Sequence, residues 1–121
     1  MEKIKHFVQG GIYLAGLDPS KHEEIGKIRP VIVLVAQIIL DIYPATVFVC
    51  PLSSKSYPAC AHLHLLLQPR DNLHKTSYAL LEHCRAVSSK RLFMPRLAQL
   101  TLEELTALFT RLRYMLDMDH E

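Results

Sequence analysis

The stretch with the fewest ways to fold is the apolar run from Pro30 to Pro51. Its length is close to the roughly 20 residues that a membrane-spanning helix needs. Asp41 falls near its centre, where insertion costs about 2.5–3.5 kcal/mol, and Pro44 and a β-branched bias break the run further. A membrane span is therefore rejected. The same residues suit two short buried strands. Pro30 to Gln37 is continuously apolar and predicts a strand buried on both faces, Thr46 to Cys50 predicts another, and Asp41-Ile42-Tyr43-Pro44 supplies the turn between them.

The flanking segments extend this pattern. Gly10-Gly11 permits a tight approach to a first strand over Ile12 to Leu17, and Asp18-Pro19-Ser20 marks the turn after it. Ser53 to Pro58 is a polar loop, and Ala61-His62-Leu63-His64-Leu65 alternates like a strand whose wet face carries both histidines. Gln68 to Lys75 is a charged loop. Ser77 to Leu81 and His83 to Val87 read as one strand or two, with a bend at Glu82. The tail then changes period. Thr101-Leu102-Glu103-Glu104 is a capping box, and Leu102, Leu105, Leu108, Phe109, Leu112, Met115 and Leu116 recur at helical spacing. Short strands joined by polar turns, with one helix to cover them, predict a small barrel.

With 121 residues, 50% of them hydrophobic, the chain supports one core and a single domain over residues 1–121. A net charge of +2 is too small for a general positive field, so any nucleic-acid binding has to come from local clustering. Cys50, Cys60 and Cys84 are an odd number without paired spacing, which supports neither a disulfide framework nor a zinc ribbon and fits a reducing cytoplasm. The first residues lack the apolar core of a signal peptide.

Candidate chemistry begins at Glu24-Ile25-Gly26-Lys27-Ile28-Arg29-Pro30. Arg29 places a permanently charged, planar fork at the mouth of a buried strand, which suits phosphate or carboxylate recognition; otherwise it is a solvated loop residue before a strand-opening proline. Ser53 can donate to the same anion or cap a turn. Lys55, Arg70, Lys75, Lys90 and Arg91 form either an RNA path or a solvated shell, with few aromatics among them for base stacking. His62 and His64 lack a third ligand at a characteristic spacing, so no metal site is assigned. His74 and His83 stand isolated, and the cysteines read as small buried apolar residues.

Taken in chain order, four motifs resemble the MazF/PemK family of bacterial toxin endoribonucleases. They are Gly11-Ile12-Tyr13-Leu14-Ala15-Gly16-Leu17-Asp18-Pro19, the Glu24-to-Pro30 loop, Cys50-Pro51-Leu52-Ser53-Ser54, and Leu81-Glu82-His83-Cys84-Arg85-Ala86-Val87 with Arg91-Leu92. The likeness runs from Gly10 to Leu116. It implies an SH3-like β-barrel of the MazF/CcdB kind with a C-terminal helix. It also implies sequence-selective, metal-independent cleavage of single-stranded RNA without a cofactor, by 2′-OH attack to a 2′,3′-cyclic phosphate and a 5′-OH. By position Arg29 and Ser53 take the principal active-site roles and Glu24 assists, while Lys27, Ser54, Lys55 and Arg85 contact RNA. The resemblance further implies a homodimer and a cognate antitoxin that lays a disordered, acidic segment over the groove. The alternative is a binding protein on the same barrel that inhibits a DNA gyrase. Three departures stand out: His22-Glu23 replaces a glycine and a small residue, serine replaces the commoner threonine at 53, and Gly11 stands where aspartate is frequent. His22 is a second potential base or a solvated histidine.

Overall fold

The computed structural model describes residues 5–17, 28–56 and 58–117. Its strands are Gly11–Gly16 (β1), Ile28–Val33 (β2), Thr46–Ser53 (β3), His64–Leu67 (β4), Ser77–Leu80 (β5), Arg85–Ser88 (β6) and Leu92–Gln99 (β7). A single helical turn, Gln37–Leu40 (α1), follows β2, and Leu102–Met115 (α2) ends the described chain. All strand pairs are antiparallel, in the order β4-β5-β3-β2-β1-β7, with β6 also beside β3. The sheet is barrel-like and unclosed, since among the described residues no pairing joins β4 to β7. None of the described helices is long and apolar enough to cross a membrane.

Alternation along β2 explains why its sequence carries no polar face. Ile32 and Leu34 enter one core cluster with Leu65, Leu67 and Leu108, whereas Val31 and Val33 enter a second with Phe7, Tyr13 and Val49. Successive side chains point to opposite faces of a strand, so a run buried on both faces has to be continuously apolar. The strand does not continue to Gln37 as the apolar run predicts. Gln37 Oε1 accepts the Gln9 N–H at 2.9 Å, and its Nε2 donates to the Phe7 carbonyl at 3.1 Å and to Asp41 Oδ1 at 3.0 Å. These contacts with the N-terminal segment hold Gln37 in a helical turn and override its strand propensity.

The C-terminal helix forms as its capping box predicts: Thr101 Oγ1 accepts the Glu104 N–H at 3.1 Å, and Glu104 Oε1 accepts the Thr101 N–H at 2.9 Å. It covers the first cluster through Leu108, with Leu105, Phe109, Leu112 and Met115 packed around it. Leu102 and Leu116, predicted as members of the stripe, are exposed at the two ends of the helix. On the other face Phe7 and Tyr13 meet edge to face at 5.0 Å, and the Tyr13 hydroxyl accepts the Val8 N–H at 3.0 Å. Gly10 has the left-handed φ of 81° that its turn into β1 requires, and its N–H reaches the Val33 carbonyl at 2.8 Å.

Two further differences follow from local chemistry. Pro58–Leu63 is a 3₁₀ turn, favoured by its proline and small residues, so the strand expected at Ala61 begins only at His64. β7 left no clear trace in the sequence because Phe93, Met94, Pro95 and Arg96 in its middle are all exposed and no inward/outward alternation shows there.

Candidate active site

The site lies where β2 and β3 part. Their register runs Val33–Val49, Ile32–Cys50, Val31–Pro51. Beyond it the Leu34 N–H donates to the Phe48 carbonyl at 2.9 Å. Hydrogen-bonding edges alternate along a strand, so Leu34, Ile32 and Pro30 all turn theirs toward β3. Pro30 has no N–H to give, and the ladder stops. Continuing the register two residues beyond Val31–Pro51 brings Arg29 opposite Ser53. The other edge of β3 is organised in the same way. The Ser89 N–H donates to the Ala45 carbonyl at 2.8 Å, so Val49, Pro51 and Ser53 turn their edges toward β6 and then β5. Pro51 occupies the changeover, between Val49, paired with Arg85, and Leu52, paired with Ala79. Two prolines thus end ladders on opposite edges of one strand and leave Ser53 beside an open cleft.

That cleft is a cavity of about 640 Å³. Arg29 and Pro30 line it from β2, and Leu52 and Ser53 from β3, with Ser54 and Lys55 following. Asn72, Leu73, His74, Lys75 and Ser77 form another wall, and Leu14 and Leu97 add apolar surface. Arg29, Lys55 and Lys75 supply fixed positive charge, and no carboxylate is among the described lining residues. Such a surface attracts anions, and the arginine fork can engage two oxygens at once. Ser53 Oγ accepts the Lys55 N–H at 3.0 Å, which forms a turn and leaves the hydroxyl proton to be donated outward. The turn cap and the anion donor, alternatives in the sequence, are compatible here. Ser77 differs, since its hydroxyl is committed to the Lys75 carbonyl at 2.9 Å.

The wall carrying His74 and Lys75 is fastened from outside the cavity. The Arg70 and Leu73 backbones exchange hydrogen bonds at 2.9 and 2.8 Å, with Asp71 in a left-handed conformation between them. The Arg70 guanidinium forks onto Glu104, with Nη2 donating to Oε2 at 2.6 Å and Nη1 to Oε1. Arg70 is therefore a clamp between this loop and the start of α2, and does not belong to the basic surface in which the sequence placed it. The Arg70 bond holds the Glu104 carboxyl below its usual range, against the opposing effect of burial. A depressed carboxylate pKa stabilises the fold above the unfolded value, and that contribution disappears as pH falls through the folded value. Glu104→Gln, which keeps a capping-box residue, is expected to cost about 1.5–3 kcal/mol at neutral pH. Its melting temperature should converge with that of the wild type in acid, as thermal melts across pH would record.

The family model described as PemK-like, MazF-like toxin of type II toxin-antitoxin system matches residues 8–116. The chain belongs to this family. No curated protein matches it in sequence. Among solved structures, the Mycobacterium tuberculosis toxin MazF-mt6 is similar with a TM-score of 0.74 at 18% identity, covering 91% of this chain and 99% of that one. A MazE-MazF structure from Deinococcus radiodurans gives 0.73 at 21% identity, covering 98% and 100%. A mycobacterial endoribonuclease in complex with its cognate antitoxin gives 0.70 at 16% identity, covering 96% and 98%. At these identities the likeness shows the MazF fold.

Within this PemK/MazF chain, Arg29, Ser53, Ser54 and Lys55 meet in the cavity, while Glu24, Lys27 and His22 lie outside the described residues. Arg85 opens β6 across from Val49 and is not a lining residue. Lys90 and Arg91 belong to a 3₁₀ turn before β7, also away from the lining. Among the lining residues, Asn72 carried no signal in the sequence, His74 was read as isolated, and Lys75 was grouped only with a diffuse basic surface. Their proximity to Arg29 depends on contacts across the whole sheet. The histidine pair on one wet face does not form: His62 packs edge-on against Tyr114 with centroids 6.2 Å apart, and His64 is buried with Nε2 2.8 Å from Glu82 Oε2. Burial pushes the Glu82 carboxyl up, but the bonds from His64 and its own backbone N–H, with the charges of His64 and His83, hold it below its usual range. Among the described residues, no group of three or more His, Cys, Asp or Glu could hold a metal.

Proposed function

We propose that this cavity is the active site of a sequence-selective endoribonuclease toxin acting on single-stranded RNA without a metal or cofactor. The observation that supports this most is the meeting of Arg29 and Ser53 in one cavity with Lys55 and Lys75 and no described carboxylate. Cleavage by a ribose 2′-OH needs a proton acceptor, a clamp for charge gathering on the phosphoryl oxygens, and a proton for the leaving oxygen. Arg29 is the clamp, Ser53 donates one neutral hydrogen bond to the same group, and Glu24, five residues before Arg29, is the proton acceptor. Lys55 and Ser54 hold flanking phosphates, with Lys27 and Arg85 extending the RNA path. The gyrase-inhibitor alternative gives the Arg29–Ser53 pair no task. RNA and DNA oligonucleotides of one sequence test the reading: RNA should be cut and DNA left intact, and equal cutting of both would exclude 2′-OH attack.

The reading includes two partners and a compartment. A mycobacterial relative is solved in complex with its cognate antitoxin; here Arg29, Lys55 and Lys75, with no carboxylate among the described lining residues, favour an acidic, disordered segment that folds onto the cavity. Affinity for a purified cognate antitoxin should fall with added salt, and a titration showing no salt dependence would contradict this. The second partner is another copy of the chain. Ile38 and Ile42, exposed by 79% and 75% on and just after α1, offer apolar surface for a homodimer. Sedimentation at micromolar concentration should give a dimer, and a monomer throughout would remove it. The compartment is the cytoplasm, whose reducing conditions suit a chain with three free cysteines.

A further inference from the structure

The sequence spacing of the three cysteines suggests no pairing, yet the fold brings two of them face to face. Val49 of β3 pairs with Arg85 of β6, and the same register one step on places Cys50 opposite Cys84. The Ser89 N–H bond to the Ala45 carbonyl fixes the alternation on this edge: Val49 and Arg85 form a hydrogen-bonded pair, so Cys50 and Cys84 fall at a non-hydrogen-bonded position. Facing Cα atoms at such positions lie about 4.5 Å apart, with their side chains close together. A disulfide spans Cα separations of about 4.4–6.8 Å. Both side chains lie in the same core cluster, Cys50 fully buried with its thiol donating to the Pro51 carbonyl at 3.8 Å and Cys84 half-buried at the cluster's margin. Cys60 sits in the 3₁₀ turn Pro58–Leu63 and belongs to neither strand of this pair.

We propose that Cys50 and Cys84 form a thiol–disulfide exchange site, at which a small disulfide of the glutathione class converts the pair into an intramolecular disulfide between β3 and the turn before β6. Cys84 is the attacking residue, because it reaches the surface while Cys50 is fully buried, and the neighbouring Cys50 thiol lowers its pKa against the opposing effect of burial. The Cys84 thiol, with burial, pushes the Cys50 thiol up. In the first step the Cys84 thiolate attacks one sulfur of the small disulfide; that S–S bond breaks, and one half leaves as a thiolate and takes a proton from water. In the second, Cys50 gives its proton to water and attacks Cys84 Sγ, expelling the other half, which is protonated in turn. Two protein thiols are oxidised and one small disulfide is reduced to two thiols. The bridge forms three residues before Ser53 on the same strand, where β3 exchanges β6 for β5.

The test treats the folded, full-length protein with glutathione disulfide and maps non-reduced peptides by mass spectrometry. Wild type is expected to yield a peptide pair linked through Cys50 and Cys84, to lose that link in reduced glutathione, and to leave Cys60 outside it. Cys50→Ala is expected to trap glutathione on Cys84, and Cys84→Ser to leave Cys50 unmodified. The wild-type map decides whatever the folding of the variants. Modification confined to Cys60, a Cys84 adduct that never closes onto Cys50, or no reaction until the protein is denatured would each overturn the proposal.

Discussion

Arg29→Ala should leave the chain folded and lower RNA cleavage by about 10²–10³-fold, the effect of removing one preorganised donor from a developing oxyanion. Arg29 lies at the exposed end of β2, beyond the last residue paired with β3 and outside both core clusters, so truncation removes little packing. It does remove the only fixed cation that β2 contributes to the cavity. Arg29→Lys should recover only part of the rate, since an ammonium cannot hold two oxygens in one plane. Ser53→Ala should fall between wild type and Arg29→Ala: it loses a single neutral donor and also leaves the Lys55 N–H without its acceptor. Initial rates on a short RNA, with far-ultraviolet circular dichroism of each variant as the folding control, would give this order. A rate for Arg29→Ala equal to wild type would place the charge clamp elsewhere.

Leu108→Ala should be the most damaging change away from the cavity, at about 2–5 kcal/mol. Leu108 is the one α2 residue with no exposure, and it packs in the cluster that holds Leu65, Leu67 and Leu73. Truncation leaves a void under the helix and loosens the surface to which Arg70 and Glu104 fasten the cavity wall. Against a typical total of about 5–15 kcal/mol, this is a large share of the stability. Leu102→Ala is the internal comparison. Leu102 belongs to the same sequence stripe but is 80% exposed, so its effect should stay within about 0.5 kcal/mol. Urea unfolding of the two variants should separate them clearly, and equal midpoints would mean that α2 is not docked as described.

The contrast between Leu108 and Leu102 shows what the sequence can and cannot reveal. Periodicity identified the helix, and its capping box marked the start, because both are local. Which end of the stripe meets the core depends on how far the sheet reaches, and periodicity does not carry that information. β2 was legible because burial on both faces demands unbroken apolar character, whereas the turn at Gln37 was not, since its cause lies in Phe7 and Gln9. The meeting of Arg29 and Ser53 was legible through the resemblance, and Pro30 and Pro51 explain it physically by ending ladders on opposite edges of β3. Asn72, His74 and Lys75 were not legible as cavity residues. Their loop reaches the cleft through the Arg70–Glu104 clamp, a contact between residues far apart in the chain. The alternation in Ala61 to Leu65 misled for a related reason: a proline and small residues formed a 3₁₀ turn, and His64 was drawn inward by Glu82.

The central claim is that Arg29 and Ser53 serve 2′-OH attack on a phosphodiester. It is tested most directly by the chemistry of the ends that the purified wild-type protein leaves on a single-stranded RNA in excess EDTA. The prediction is continued cleavage, with a 2′,3′-cyclic phosphate on one fragment and a 5′-hydroxyl on the other. Cleavage that stops with EDTA, or fragments bearing a 3′-hydroxyl and a 5′-phosphate, would contradict it.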